Sequence, residues 1–161
     1  MSSPALYLLD TNIISELRKT RPHGAVKAWF KSVPTTQIAI PAIVIGEIQA
    51  GVEATRLQDK QKALEIEVWL EAVLQFYKIL PMDGPIFRQW AKLMFGKSDA
   101  VSADAMIAAT ALEHRLVVAT RNTKDFERFA QDGSGPWLRI FNPFDDKEGA
   151  RILRFALPLT P

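Results

Sequence analysis

Short β-like runs alternating with longer helical stretches constrain this chain more than any other feature of its sequence. Strand, helix and strand repeated in order are the pattern of an α/β sheet with parallel strands. Ala5–Leu9 reads as a buried first strand, and Thr11 or Asn12 then caps a short helix through Leu17 and Arg18. Ala25–Val33 reads as helical and stops at Pro34. Gln37–Ile40 is a short strand, and Pro41 suits the first turn of the next helix, which carries Glu47. Asp59–Phe76 is the clearest helix, because Ile66, Leu70, Val73, Leu74 and Tyr77 form one apolar stripe opposite its charges. Lys78–Leu80 reads as an edge strand before Pro81. Gly84–Phe95 and Ala103–Glu113 are helices separated by the polar loop Gly96–Ser102, with Ser102 placed to cap the second. Leu116–Ala119 is another buried strand, followed by a short helix Asp125–Ala130, a turn Gln131–Pro136 and a last strand Leu138–Phe141.

Composition narrows the class. A chain of 161 residues with 48% apolar content suits one domain around one core, and disorder is not expected. Its apolar runs fall far short of the ~20 residues a membrane helix needs. Met1-Ser2-Ser3-Pro4 has no basic stretch ahead of an apolar one, so no signal peptide is expected. The chain has no Cys, which excludes disulfides and thiol nucleophiles and fits a cytoplasmic protein. A net charge of +2 is too small to announce a nucleic-acid partner, so any attraction for a polyanion must come from local clustering. Residues 1–144 read as the domain, and 145–161 as a tail that is charged first and apolar later.

Three carboxylates stand where a folding sequence normally places apolar or neutral residues. Asp10 ends the first apolar run, Glu47 interrupts Ile43–Ile48, and Asp104 opens the apolar helix Ala105–Ala111. A carboxylate among apolar neighbours must be paired, protonated or bound to a cation. Two such groups ~4 Å apart repel by ~4 kcal/mol at an effective dielectric near 20. His23 and His114 lie outside these segments, so the ligand set is all oxygen. That set points to Mg²⁺ or Mn²⁺ rather than zinc. Ligands of a parallel sheet bind outside the carboxyl ends of its strands, where Asp10 and the segment Thr120–Asp125 should emerge.

The blocks Leu9–Leu17 (LDTNIISEL), Gly46–Gly51 (GEIQAG), Asp104–Ala111 (DAMIAATA) and Ala119–Phe126 (ATRNTKDF) resemble a PIN domain of the VapC and FitB-like toxin branch. The ending Phe141-Asn142-Pro143-Phe144 also suits FitB-like members, and the resemblance runs from about Leu6 to Phe144. It implies a small three-layer α/β/α sandwich with a mostly parallel central sheet and an acidic pocket. It further implies a metal-dependent endoribonuclease toxin that hydrolyses RNA phosphodiesters with a metal-activated water. Asp10, Glu47 and Asp104 are then the catalytic, metal-holding carboxylates for Mg²⁺ or Mn²⁺. The fourth acid of some members falls at Asn122, with Asp125 one turn further on, so either could fill that role. Thr11, Asn12 and Thr120 become donors that orient Asp10 and a ligand water. Expected partners are an RNA substrate and a cognate antitoxin whose C-terminal segment fills the groove beside the pocket. Homodimers that assemble further with the antitoxin on DNA are also expected.

Other residues have plainer readings. Arg18, Lys19, Arg21, Lys97 and Arg121 are candidates to grip RNA phosphates, although any one of them alone is ordinary surface charge. Asp83 suits a helix cap, and Asp99, Asp145 and Asp146 suit solvated surface. His23 reads as a loop residue and His114 as a helix C-terminal one. Trp29, Trp69, Trp90 and the pair Met94-Phe95 read as core, whereas Trp137 could stack a base. Two other functions compete with the nuclease. One is a PIN scaffold that binds RNA without turnover, which Asn122 keeps open. The other is an α/β phosphatase with Asp10 as nucleophile, which Asn12 opposes because such enzymes want a second acid there.

Overall fold

The computed structural model describes residues 5–129 and 138–145. The expectations for Ala130, Gln131–Pro136, Trp137 and Asp146 onward lie outside the described residues.

Among the described residues, five strands and seven α-helices follow the order the sequence suggests. Strand β1 (Tyr7–Leu9) leads to α1 (Thr11–Arg18) and α2 (Gly24–Ser32). Next come β2 (Ile38–Pro41), α3 (Ala42–Arg56), α4 (Lys60–Phe76), β3 (Lys78–Leu80) and α5 (Gly84–Met94). Helix α6 (Ser102–His114), β4 (Val117–Ala119), α7 (Thr123–Glu127) and β5 (Arg139–Phe141) complete the set. All five strands are parallel, in the spatial order β3-β2-β1-β4-β5. Parallel neighbours require crossover connections, and right-handed ones place α1–α4 on one face and α5–α7 on the other. The result is a three-layer α/β/α sandwich.

The connection order decides where a ligand can sit. The chain steps outward from β1 through β2 to β3, then returns to the far side of β1 for β4 and β5. Strand order therefore reverses between β1 and β4, and the helices flanking them diverge to opposite faces. That leaves a crevice above the carboxyl ends of these two strands. Asp10 follows β1 and Thr120 follows β4, so both stand at its floor. The adjacent pairs Leu9↔Ala119 and Ala119↔Phe141 set three strand ends level there.

Packing explains the sequence pattern. Leu8, Leu9, Ile38, Ile40, Val117 and Val118 are essentially fully buried, as strands covered on both faces must be. Helix α6 is apolar nearly all round, and its Ala105, Ile107, Ala108, Ala109 and Ala111 are buried. Trp29, Trp69, Trp90 and Met94 pack against the core as partly buried residues.

Several local expectations change. Asp10 itself, not Thr11 or Asn12, caps α1 by accepting the Thr11 N–H. Pro41 closes β2 and stands just before α3 instead of inside its first turn. Ser102 does not cap α6, because a 3-10 turn at Asp99–Val101 runs directly into the helix and Ser98 caps that turn instead. Helix α7 starts earlier, at Thr123, because the Thr120 hydroxyl accepts the Asn122 N–H and tightens the turn. Phe95 is 89% exposed, since the chain leaves α5 there with an extended residue that points it to solvent. Leu74, at the edge of the α4 stripe, is half-exposed. Asp83 caps α5 through the Ile86 N–H, as its position suggests.

Candidate metal centre

Asp10 is the best-anchored carboxylate in the crevice. Its backbone N–H donates to the Ala119 carbonyl at 3.0 Å, which ties the end of β1 to the end of β4. The side chain is 6% exposed, and both of its oxygens are engaged. Oδ1 accepts the Thr11 N–H at 2.6 Å, and Oδ2 accepts Asn12 Nδ2 at 3.0 Å and Thr120 Oγ1 at 2.7 Å. Burial pushes the Asp10 carboxyl above the ordinary aspartate range; these hydrogen bonds pull the other way, and the Glu47 charge adds to the rise.

Thr120 and Asn12 form the scaffold behind it. The Thr120 hydroxyl donates to Asp10 and accepts from Asn12 Nδ2 at 3.3 Å and from the Asn122 N–H at 3.0 Å. One donor and two acceptor sites exhaust what a hydroxyl offers. The Asn12 Oδ1 accepts the Arg121 N–H at 3.1 Å, so one amide spans from α1 to the turn after β4. Thr11 completes the set, its hydroxyl donating to Glu47 Oε2 on the exposed surface of α3.

Asp104 lies in the first turn of α6 and is partly buried. No hydrogen bond among the described residues reaches its carboxyl group. Its pKa rises from 3.8 to about 6, first through burial and then through the charges of Asp10, Asp125 and Glu47, with Arg128 opposing. Four carboxylates from four separate segments therefore share one field. Asp125, in α7, is also ion-paired to Arg128 at 2.9 Å, and so does not simply cap its helix. Asn122 is exposed, stands immediately before α7 and makes no side-chain capping bond.

The donor chemistry fits a hard divalent ion. All four acids are oxygen donors, Asp104 has no hydrogen-bond donor among the described residues, and Arg128 is the cation that opposes the repulsion there. Among the described residues, no three Asp, Glu or His groups close to a ready coordination shell. The two findings are compatible. Mg²⁺ takes one or two protein carboxylates directly and keeps several waters, so its ligands need not all touch one point. Repulsion also holds unneutralised carboxylates apart.

The five basic candidates are placed differently. Lys19 is ion-paired with Glu16. Arg18 lies 5.9 Å from the Trp69 ring and Lys97 5.8 Å from the Phe129 ring. Arg21 is exposed. Arg121 lies 4.9 Å from the Phe144 ring. An apolar cavity of about 270 Å³ among α1, α2 and α4 is lined by Leu9, Ile14, Leu17, Phe30, Trp69 and Tyr77, with Lys27 and Lys31 also on its wall. Sequence reasoning missed Arg128, although its i,i+3 spacing from Asp125 was a readable signal. It also missed the contact of Phe144 with Arg121, for which the sequence carries no local sign.

Known proteins share this arrangement of elements. The PIN domain family model matches residues 7–132. The toxin FitB of Neisseria gonorrhoeae is 36% identical over 147 residues, which cover 88% of this chain and all of FitB. The VapC ribonuclease Y4jK of Sinorhizobium fredii is 36% identical, covering 82% of this chain and 98% of its own length. In a solved structure of FitAB bound to a DNA fragment, one chain superposes with a TM-score of 0.73 at 32% identity, covering 89% of this chain and 99% of that one. Matched in sequence and in fold over most of its length, this chain belongs to the PIN-domain family.

Proposed function

We propose that this protein is a metal-dependent endoribonuclease toxin of a type II toxin–antitoxin pair. The observation that supports it most is the set of Asp10, Glu47, Asp104 and Asp125 facing one crevice at the sheet's switch point, with too little positive charge to neutralise them. The relatives named VapC ribonuclease and toxin FitB favour RNA as the substrate.

Asp10, Glu47 and Asp104 hold the ion, Mg²⁺ or Mn²⁺. Asp125 is the better fourth acid than Asn122, because its charge reaches Asp104. When bound, the ion supplies polarisation of a phosphoryl oxygen and a more acidic water. The protein's own groups do the rest. Thr11, Asn12 and Thr120 fix the Asp10 oxygens, so its geometry is set before substrate arrives. Asp104, with a carboxyl free of donors, takes the proton of the attacking water at one of its oxygens. Of the basic candidates, the exposed Arg21 and Arg121 supply the rim for the RNA backbone, whereas Arg18, Lys19 and Lys97 are engaged with Trp69, Glu16 and Phe129. No protein nucleophile is required, and Asp10, with both oxygens occupied by donors, is poorly placed to be one.

The partner is an antitoxin protein whose apolar segment enters the 270 Å³ cavity among α1, α2 and α4. Homodimers assemble with it on DNA, and the protein works in the cytoplasm. Among the described residues, no helix is long and apolar enough to cross a membrane. A second reading, an RNA-binding scaffold without turnover, draws on Asn122 in place of an acid and on the ion pair that engages Asp125.

Total RNA incubated with the antitoxin-free protein and Mg²⁺ or Mn²⁺ tests the proposal, with EDTA and Asp104→Asn as controls. Discrete fragments absent from both controls are expected. Intact RNA with a folded, metal-loaded protein overturns the nuclease and favours the scaffold.

A further inference from the structure

Among the five basic candidates, Arg121 alone is joined to the machinery that orients Asp10. Its N–H is held by Asn12 Oδ1, and Asn12 in turn donates to Asp10. Lys19 is already neutralised by Glu16, Arg18 sits over Trp69 at the apolar cavity, and Lys97 sits over Phe129. Arg121 is exposed and has no carboxylate at ion-pair distance among the described residues. What holds its guanidinium is the Phe144 ring, at 4.9 Å.

Phe144 is itself fixed from two directions. Strand pairing brings it there: Ala119 sits beside Phe141, and Thr120 N–H donates to the Phe141 carbonyl at 2.9 Å. Arg121 and Phe144 therefore emerge together, two and three residues beyond a matched pair. The Asn142 side chain then accepts the Phe144 N–H at 3.0 Å, an Asx-type turn that fixes the backbone just before the ring. On the other side, the His23 ring packs on Phe144 with centroids 5.2 Å apart. His23 is pinned because its N–H donates to the buried Glu16 at 2.8 Å.

We propose that Phe144, backed by His23, is a positioning residue that holds the Arg121 guanidinium at the lip of the acidic crevice, where it grips the RNA phosphate backbone. A freely rotating arginine loses side-chain entropy on each binding event, and an aromatic face that pre-orients the planar group reduces that loss. The face also keeps Arg121 from folding inward onto the four carboxylates, where it would compete with the metal. The inference rests on the nuclease reading.

The test compares wild type with Arg121→Ala, Phe144→Leu, Phe144→Tyr and the double variant Arg121→Ala/Phe144→Leu. Leucine keeps apolar bulk and removes the π face, and tyrosine restores it. With a fluorogenic single-stranded RNA and Mn²⁺, Phe144→Leu should raise KM about two- to fivefold with kcat nearly unchanged. Phe144→Tyr should match wild type, and the double variant should be no worse than Arg121→Ala. A second readout needs neither metal nor RNA: the Arg121 Nε–H proton resonance, shifted upfield by the ring in wild type, should return to the random-coil position in Phe144→Leu. No upfield shift in wild type overturns the clamp. An unchanged KM in Phe144→Leu, or additive effects in the double variant, also overturns it. Wild-type protein that cuts no RNA, with the ring shift intact, instead overturns the nuclease reading and removes the phosphate role while leaving the contact itself demonstrated.

Discussion

Asp104 shows most clearly how much one side chain carries. Its carboxyl is raised to about 6 by burial and by three neighbouring acids, and it has no hydrogen bond among the described residues to offset the cost. The sign of its pH dependence follows. Well below 3.8 the group is protonated in both the folded and the unfolded chain. Between 3.8 and about 6 the unfolded chain releases the proton first, so the metal-free fold loses stability as pH rises through that window. Melting in EDTA across pH 4 to 7 should show that loss, and Asp104→Asn should flatten it. Above pH 6 the asparagine variant should be more stable by about 1 kcal/mol, after allowance for solvent screening of a half-exposed group. A variant that is more stable yet inactive separates a functional carboxylate from a structural one. A metal-free melting profile independent of pH would show that the acids do not share a field.

At the scale of elements, the turn between β4 and α7 does more than connect. Its first residue, Thr120, uses every hydrogen-bonding site of its hydroxyl to join β1, α1 and α7. Thr120→Val keeps the shape and deletes the hydroxyl. It should cost about 1–3 kcal/mol, because a buried carboxylate loses a donor and the Asn122 N–H loses its acceptor. Urea titration would measure the loss, and a cost within error of zero would show that water replaces the hydroxyl freely. Elements were also where the sequence was most and least readable. The α4 stripe announced its helix, and Asp59 caps it through the Lys62 N–H. Ser102 turned out not to cap α6 because the 3-10 turn ahead of it runs straight into the helix, so Ser102 already lies inside it. Such a turn has no periodicity of its own to read. The three-residue strands β1, β3, β4 and β5 were found because their neighbours in sequence stop or start helices, and not by alternation, which parallel strands lack.

The whole molecule sets the link between metal and stability. On the proposed reading, carboxylates that repel one another in the metal-free protein would serve as ligands to an arriving ion, so binding should stabilise the entire domain. At about 100 times its dissociation constant, Mn²⁺ should add about 2.7 kcal/mol, or roughly 5–10 °C in Tm for a chain of this size. Asp104→Asn should lose most of that shift, and Ca²⁺, larger and less exacting in geometry, gives a useful contrast. Equal shifts in the variant and the wild type would place the ion elsewhere. What the amino-acid sequence determined by itself was the order and kind of elements, and the identity of Asp10, Glu47 and Asp104 as acids in apolar company. Periodicity and the cost of burying charge are local properties, readable along a chain. Only the tertiary structure decided that strand order reverses between β1 and β4, that Asp125 shares the field of Asp104 while Asn122 points to solvent, and that Phe144 meets Arg121 and His23. Those relations join residues as much as 121 positions apart, from His23 to Phe144, and only strand register and crossover handedness bring them together.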